Sequence, residues 1–256
     1  MLSFDAQERF GAIWVKSHDS KPVFPQFDVE GHYHLCTLFH KARAPLELVV
    51  DNFCEIEHTP TTHALFGYAL DRMHEVDVRF ETTATSVRVI NCGPPKHISP
   101  LLRLFIGIGK DYQFNDDWTT HFSPVYSIYD HWWSCPKTGK ECRVRWRLYI
   151  FFVPTDDRET AVITFAFTKS AYPGPAGGVR LFRWLMIPNL DHEIDLDVKI
   201  LKNLADKSPD IEGMKLSRFD RALGLNRERI DKIYRGRTLM TKGPHFLTQP
   251  VGEHRQ

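Results

Sequence analysis

The run Arg143-Val144-Arg145-Trp146-Arg147-Leu148-Tyr149-Ile150 decides the fold class. Val144, Trp146, Leu148 and Ile150 alternate with Arg143, Arg145, Arg147 and Tyr149, the period of a strand with one buried face. Similar signals recur on both sides. Val76, Val78 and Phe80 alternate with Asp77, Arg79 and Glu81, residues 87–90 continue the sheet, and residues 119–133 are rich in aromatic and β-branched types. Downstream, residues 161–168 read as another strand. The links at 135–141 and 154–159 are short and turn-rich, which predicts antiparallel hairpins.

Helical periodicity brackets this block. From Pro45, the residues Leu46, Val49, Val50 and Phe53 fall on one helix face, and the pattern weakens near Pro60. After a Pro/Gly loop at 174–178, Ile187, Leu190, Ile194, Leu201 and Leu204 form the stripe of a long helix. Phe219, Leu223, Ile230 and Ile233 mark a final helix over 217–234. The expectation is an α+β domain, an antiparallel sheet with a long helix laid across it. Residues 1–44 are assigned to an N-terminal arm and 45–256 to the main domain.

Composition narrows the function classes. Of 256 residues, 42% are hydrophobic and 25% charged, as in globular proteins and unlike disordered ones. The 33 Lys and Arg nearly balance the 32 Asp and Glu, so the basic excess of a nucleic-acid surface is missing. The apolar run at 148–153 is too short to span a bilayer. MLSFDAQERF carries neither the basic region nor the apolar core of a signal peptide. Five scattered cysteines without a C-x-x-C pair predict reduced thiols and a cytoplasmic location. The sequence holds no Gly-rich phosphate loop.

The chemistry concentrates in Asp51-Asn52-Phe53-Cys54-Glu55-Ile56-Glu57-His58-Thr59-Pro60-Thr61-Thr62-His63. Spacing of three places Asn52, Glu55 and His58 on one helix face. His63 lies about 140° away on a regular helix, so Pro60 must break or widen the helix for both imidazoles to meet. In the long helix Asp197 occupies a stripe position where an apolar residue is expected, whereas Asp195 points to solvent. A buried carboxylate needs a partner, either a core arginine or a metal. Two imidazoles and one carboxylate form the facial triad of non-haem Fe(II).

Asn52-x-x-Glu55-x-x-His58-x-x-x-x-His63 resembles the mononuclear-iron motif of Rieske-type aromatic-ring-hydroxylating oxygenases. Asp197-Val-Lys-Ile-Leu resembles the helical segment that carries their carboxylate ligand, and residues 9–15 resemble the last strand of their Rieske domain. The resemblance implies a helix-grip fold, a curved antiparallel sheet around a long C-terminal helix. It also implies Fe(2+) held by His58, His63 and Asp197, with O2 and a hydrophobic, aromatic or polycyclic substrate. Asn52 and Glu55 would assist, Glu55 standing where the family usually has aspartate and linking the iron site to a neighbouring Rieske histidine. Family members form head-to-tail trimers.

The C-x-H and C-x-x-H ligand pairs of a [2Fe–2S] Rieske centre do not occur in this sequence. Three accounts follow: a truncated form, electrons from a Rieske-bearing or ferredoxin/reductase partner, or a pocket that has lost redox activity. The last is the competing class, a non-enzymatic helix-grip binder of a hydrophobic ligand. Pocket walls are expected from the sheet face and from Phe66. Trp118, Tyr126, Tyr129, Trp132 and Trp133 are assigned mainly to packing, Arg143, Arg145 and Arg147 to a solvated face. His97, His121 and His131 have no ligand partners at recognisable spacing.

Overall fold

A computed structural model describes residues 3–172, 178–210 and 213–237. The Pro/Gly loop expected at 174–178 falls mostly outside the described residues. β1 (Phe4–Arg9) and β2 (Ala12–Ser17) form a separate hairpin. β3 (Tyr33–Ala42), β4 (Asp77–Thr82), β5 (Ser86–Gly93), β6 (Gln113–Phe122), β7 (Val125–Ser134), β8 (Val144–Pro154) and β9 (Thr160–Ser170) build a seven-stranded sheet in the order β3-β9-β8-β7-β6-β5-β4. Every pairing in it is antiparallel. The helices are α1 (Leu46–Phe53), α2 (Thr59–Thr62), α3 (Pro100–Ile106), α4 (Val179–Asn203) and α5 (Arg221–Arg229).

The α+β class matches the sequence reading. Val144, Trp146, Leu148, Ile150 and Phe152 of β8 all enter the main core, together with Leu190, Ile194 and Leu201 of α4. α4 packs against β3 and α1, and α1 also meets β8 and α5. The opposite face of β8 is less solvated than its arginines imply. Tyr149 and Phe151 join Tyr126, Phe165 and Phe167 in a second cluster, covered by Phe10, Trp14 and Phe27. The β1–β2 hairpin therefore caps the outer side of the sheet. Its turn places both Phe10 and Gly11 at positive φ, as the tightest hairpins require. Phe10 tolerates that conformation with its ring packed edge-on against Phe27 and Phe167, at 4.9 Å from each.

Several elements differ from the sequence reading. β3 lies inside the stretch assigned to the arm, yet it pairs with β9 as an edge of the large sheet. The boundary drawn at residue 44 therefore separates a sheet strand from its sheet. Residues 119–133 are two strands, β6 and β7, turned at Ser123 and Pro124. α3 was not anticipated, although Ser99 caps its first turn and Gly107 ends it in a left-handed conformation. A final helix does follow the long one, but it is shorter than the expected 217–234 and consists of α5 and a π-helical turn (Ile230–Tyr234). The final helix starts at Arg221 because the Asp220 carboxylate accepts from the Ser217 N–H, making a turn of the preceding residues.

A buried ion pair fastens the last helix to the site. Arg227 of α5 donates from Nε to Asp51 of α1 at 3.0 Å and also from Nη2. Both side chains are under a tenth exposed. Removing one partner leaves a buried charge uncompensated, a loss of about 3–5 kcal/mol. Chemical denaturation of Asp51→Ala and Arg227→Ala should each show that loss, with the double variant losing clearly less than their sum. Additive losses would mean that the two groups do not depend on one another.

Candidate metal centre

The site forms where α1 ends. α1 stops at Phe53, so Glu55 and His58 do not continue the face that carries Asn52. Pro60 does not break a helix either. It sits in the first turn of α2, a position that needs no N–H, with His58 immediately before α2 and His63 immediately after. The two histidines thus bracket one short turn, which brings their imidazoles together as no regular helix would.

Three walls fix this turn. Tyr129 of β7 donates its hydroxyl to the Phe53 carbonyl at the end of α1. The Cys54 thiol lies 3.4 Å from the Thr120 hydroxyl and 3.7 Å from that of Ser127. Burial pushes that thiol up to about 11, so Cys54 stays protonated and packs. Lys96 donates to the carbonyls of Thr59 at 3.0 Å, Pro60 at 3.1 Å and His63, satisfying acceptors that a one-turn helix leaves open. Gly67 has φ +119°, and a Cβ there would meet Thr59 Oγ1 at 2.7 Å, so the chain can pass this closely only without a side chain.

Asp197 reaches the same point from α4. His58 Nε2 lies 2.9 Å from His63 Nε2, and Asp197 Oδ1 lies 3.0 Å from the first and 3.3 Å from the second. Asn52 donates to the same Asp197 oxygen at 3.0 Å. On the far side, His58 Nδ1 faces the Glu55 carboxylate, and His63 Nδ1 lies 3.1 Å from Glu193 Oε2 without the alignment of a hydrogen bond. A carboxylate on Nδ1 keeps the proton there and turns the Nε2 lone pair inward. With protons held on Nδ1, the two Nε2 lone pairs and a carboxylate oxygen converge on one point, which a metal cation or competing protons would fill. Donors at right angles around a centre with bonds of about 2.1 Å stand about 3.0 Å apart. The observed separations fit.

The electrostatics agree. Burial alone would lower the imidazole pKa values, but Asp197, with Glu55 on His58 and Glu193 on His63, raises both to about 9. Burial opposes ionisation of Asp197 too, yet the two imidazoles hold its carboxyl below the usual range. Without metal, protons compete for the site.

Of the residues singled out in the sequence, the structure brings together Asn52, Glu55, His58, His63 and Asp197. Asp195 is turned outward, 2.7 Å from Lys199. Glu55 faces His58 Nδ1 and the His58 backbone N–H. Phe66 lines the adjoining pocket, with Trp118, Tyr129, Leu148 and Ile150 of the sheet and Leu190 and Ile194 of α4. The pocket is a small cavity of about 80 Å³. Tyr126 belongs instead to the outer cluster, Trp133 to the core, and Trp132 lies under Arg145. Arg147 pairs with Asp130 at 2.9 Å. Sequence reading missed Glu193, whose signal was its place one helical turn before Asp197. Its Oε1 also accepts from the N–H groups of Ala64 and Leu65. The reading also missed Lys96 and the cross-strand pair Asp116–His131.

Fold and site together define an α+β domain with a His-His-carboxylate cluster lining an apolar pocket. No family model matches the chain, and no curated protein matches it. Solved structures do. Dicamba monooxygenase bound to dicamba has a TM-score of 0.66 at 14% identity, over 91% of this chain and 69% of that one. NdmA of Pseudomonas putida CBB5 with caffeine gives 0.61 at 14%, over 91% and 62%. NdmB of the same organism gives 0.57 at 11%, over 88% and 58%. The chain shares its fold with these proteins.

The imidazole shifts give a sign to pH dependence. Each His binds its proton more tightly folded, at about 9, than unfolded, at 6.5. In chelator-treated protein this stabilisation is complete below pH 6.5 and is lost as pH rises through about 9, on the order of 3 kcal/mol for one imidazole. Thermal melts of the metal-free protein should show Tm falling across that window, and His63→Gln should flatten the fall. Metal affinity should run the opposite way, rising with pH as the competing protons leave. A metal-free Tm that climbs across the window would contradict the assignment.

Proposed function

We propose that this chain is the catalytic domain of a mononuclear non-haem Fe(II) oxygenase that hydroxylates or demethylates a hydrophobic, aromatic or polycyclic substrate. The observation that carries the reading is the convergence of His58 Nε2, His63 Nε2 and Asp197 Oδ1 beside an apolar pocket. The sequence motif and the shared fold support it. The fold assigned is the helix-grip type, with α4 as the helix held against the sheet. His58, His63 and Asp197 would hold the iron, which when bound supplies sites for O2 activation next to the substrate.

The remaining residues do the positioning. Glu55 and Glu193 keep the protons on Nδ1 of the two histidines, and Asn52 fixes the rotation of the Asp197 carboxylate. Leu190, Ile194, Leu148 and Ile150 exclude water from the pocket and hold apolar substrate surface. Electrons are assigned to a Rieske centre or a ferredoxin/reductase donor carried outside residues 1–256, and the chain alone to a monomer or a weak oligomer, with a homotrimer formed where such a partner restores the interface. Glu55 stands at the rim of the site and is the proposed contact towards that donor. A non-enzymatic binder would explain the apolar pocket but leaves three converging donors, each with its own orienting partner, without a role.

Metal analysis after anaerobic Fe(II) loading tests the reading. The expected content is about one iron per chain, lost in His58→Ala, His63→Ala and Asp197→Ala and retained in Asp195→Ala, because removing a ligand costs far more than removing a solvated carboxylate. Wild-type protein that takes up no iron, or ligand variants that bind it as well as wild type, would overturn the proposal.

A further inference from the structure

The sheet side of the pocket carries a second polar group that the metal reading does not use. Asp116 of β6 and His131 of β7 are direct cross-strand partners, and both are 7% exposed. His131 Nε2 lies 3.0 Å from Asp116 Oδ1, but the pair is not aligned as a hydrogen bond, and Asp116 Oδ1 and His131 Nδ1 are both without a hydrogen-bond partner. The neighbouring inward residue of β6, Trp118, is also buried with its Nε1–H unpaired. All three line the same pocket as the histidine–carboxylate cluster. Phe66 and Phe114 pack around the His131 ring, with centroids 4.5 and 5.8 Å away, so the ring is held in place.

Buried polar atoms left unpaired in an otherwise packed interior are costly. At a ligand pocket they mark where the ligand supplies the missing partner. The sign of the charge narrows the chemistry. Among the described residues lining the pocket there are four carboxylates, Glu55, Asp116, Glu193 and Asp197, and no Lys or Arg. The His58 and His63 imidazoles already face Glu55, Glu193 and Asp197, so an anionic ligand at the sheet wall would meet Asp116 with no guanidinium or ammonium to receive it.

We propose that Asp116, backed by His131, is the specificity-determining anchor for a neutral or cationic substrate bearing a hydrogen-bond donor, such as an amine, a ring N–H or a hydroxyl, and that aromatic carboxylates are excluded. The proposal rests on the oxygenase reading for the word substrate, though not for the binding itself. Anchoring the donor at the sheet wall leaves the rest of the molecule between the aromatic residues and turned towards His58, His63 and Asp197. The anchor would thus set which part of the molecule is presented to the iron.

The test uses metal-free protein of residues 1–256, so that iron binding and ligand polarity are read separately. Three probes of matched shape are titrated against tryptophan fluorescence and by calorimetry: 2-naphthylmethylamine, 2-naphthylmethanol and 2-naphthoate. The amine and the alcohol should bind at least tenfold more tightly than the carboxylate. Asp116→Asn, which keeps shape and removes the charge, should weaken the amine at least tenfold and narrow or reverse its lead over 2-naphthoate, a change that a merely structural role would not produce. His131→Gln should weaken amine and alcohol together. The wild-type rank order decides even where a variant fails to fold: 2-naphthoate binding as tightly as the amine, or no binding by any of the three, overturns the proposal. A preserved amine preference in protein that takes up no iron would sustain the anchor and sink the oxygenase reading.

Discussion

Everything at this site depends on one buried carboxylate. Asp197 is 6% exposed inside the apolar stripe of α4, and an isolated charge there would be expelled or neutralised. It is held instead by two imidazoles and an amide that come from one short stretch, residues 52–63. The stability of the domain and the chemistry of the site are therefore the same interaction. α4 can dock across the sheet only if residues 52–63 deliver their polar groups to Asp197, and those imidazoles have no reason to converge unless α4 brings the carboxylate.

That mutual dependence explains the supports. A turn as short as α2 has little stability of its own. Lys96 fills its carbonyls, Tyr129 caps the end of α1, and Glu193 holds both the His63 ring and the backbone just beyond it. Each support comes from a different part of the fold: the loop after β5, the sheet, and α4. The ion pair between Asp51 and Arg227 then ties α1 to α5 on the other side. Few of these groups can shift alone, which is the condition for a metal site that stays assembled without its metal.

β8 and β9 were legible because their first halves alternate, and they fall where the periodicity placed them. β3 escaped because Tyr33–Ala42 mixes polar and apolar residues on both faces of an edge strand. Asp197 was legible as a charge inside an apolar stripe, and His58 and His63 as a close pair beside a proline. The local geometry was not. Reading residues 45–60 as one helix missed that α1 ends at Phe53, because a side-chain cap from Tyr129, 76 residues away, closes it. Glu193 needed only the same stripe argument that found Asp197. Asp116 and His131 needed the strand register, which no local pattern supplies.

X-ray absorption at the iron edge of anaerobically loaded protein tests the central claim most directly. The account predicts a shell of nitrogen and oxygen donors only, with the outer scattering of two imidazoles, reduced to one in His58→Ala wherever that variant retains metal. A sulfur donor in the shell, or a wild-type spectrum without imidazole scattering, would contradict it.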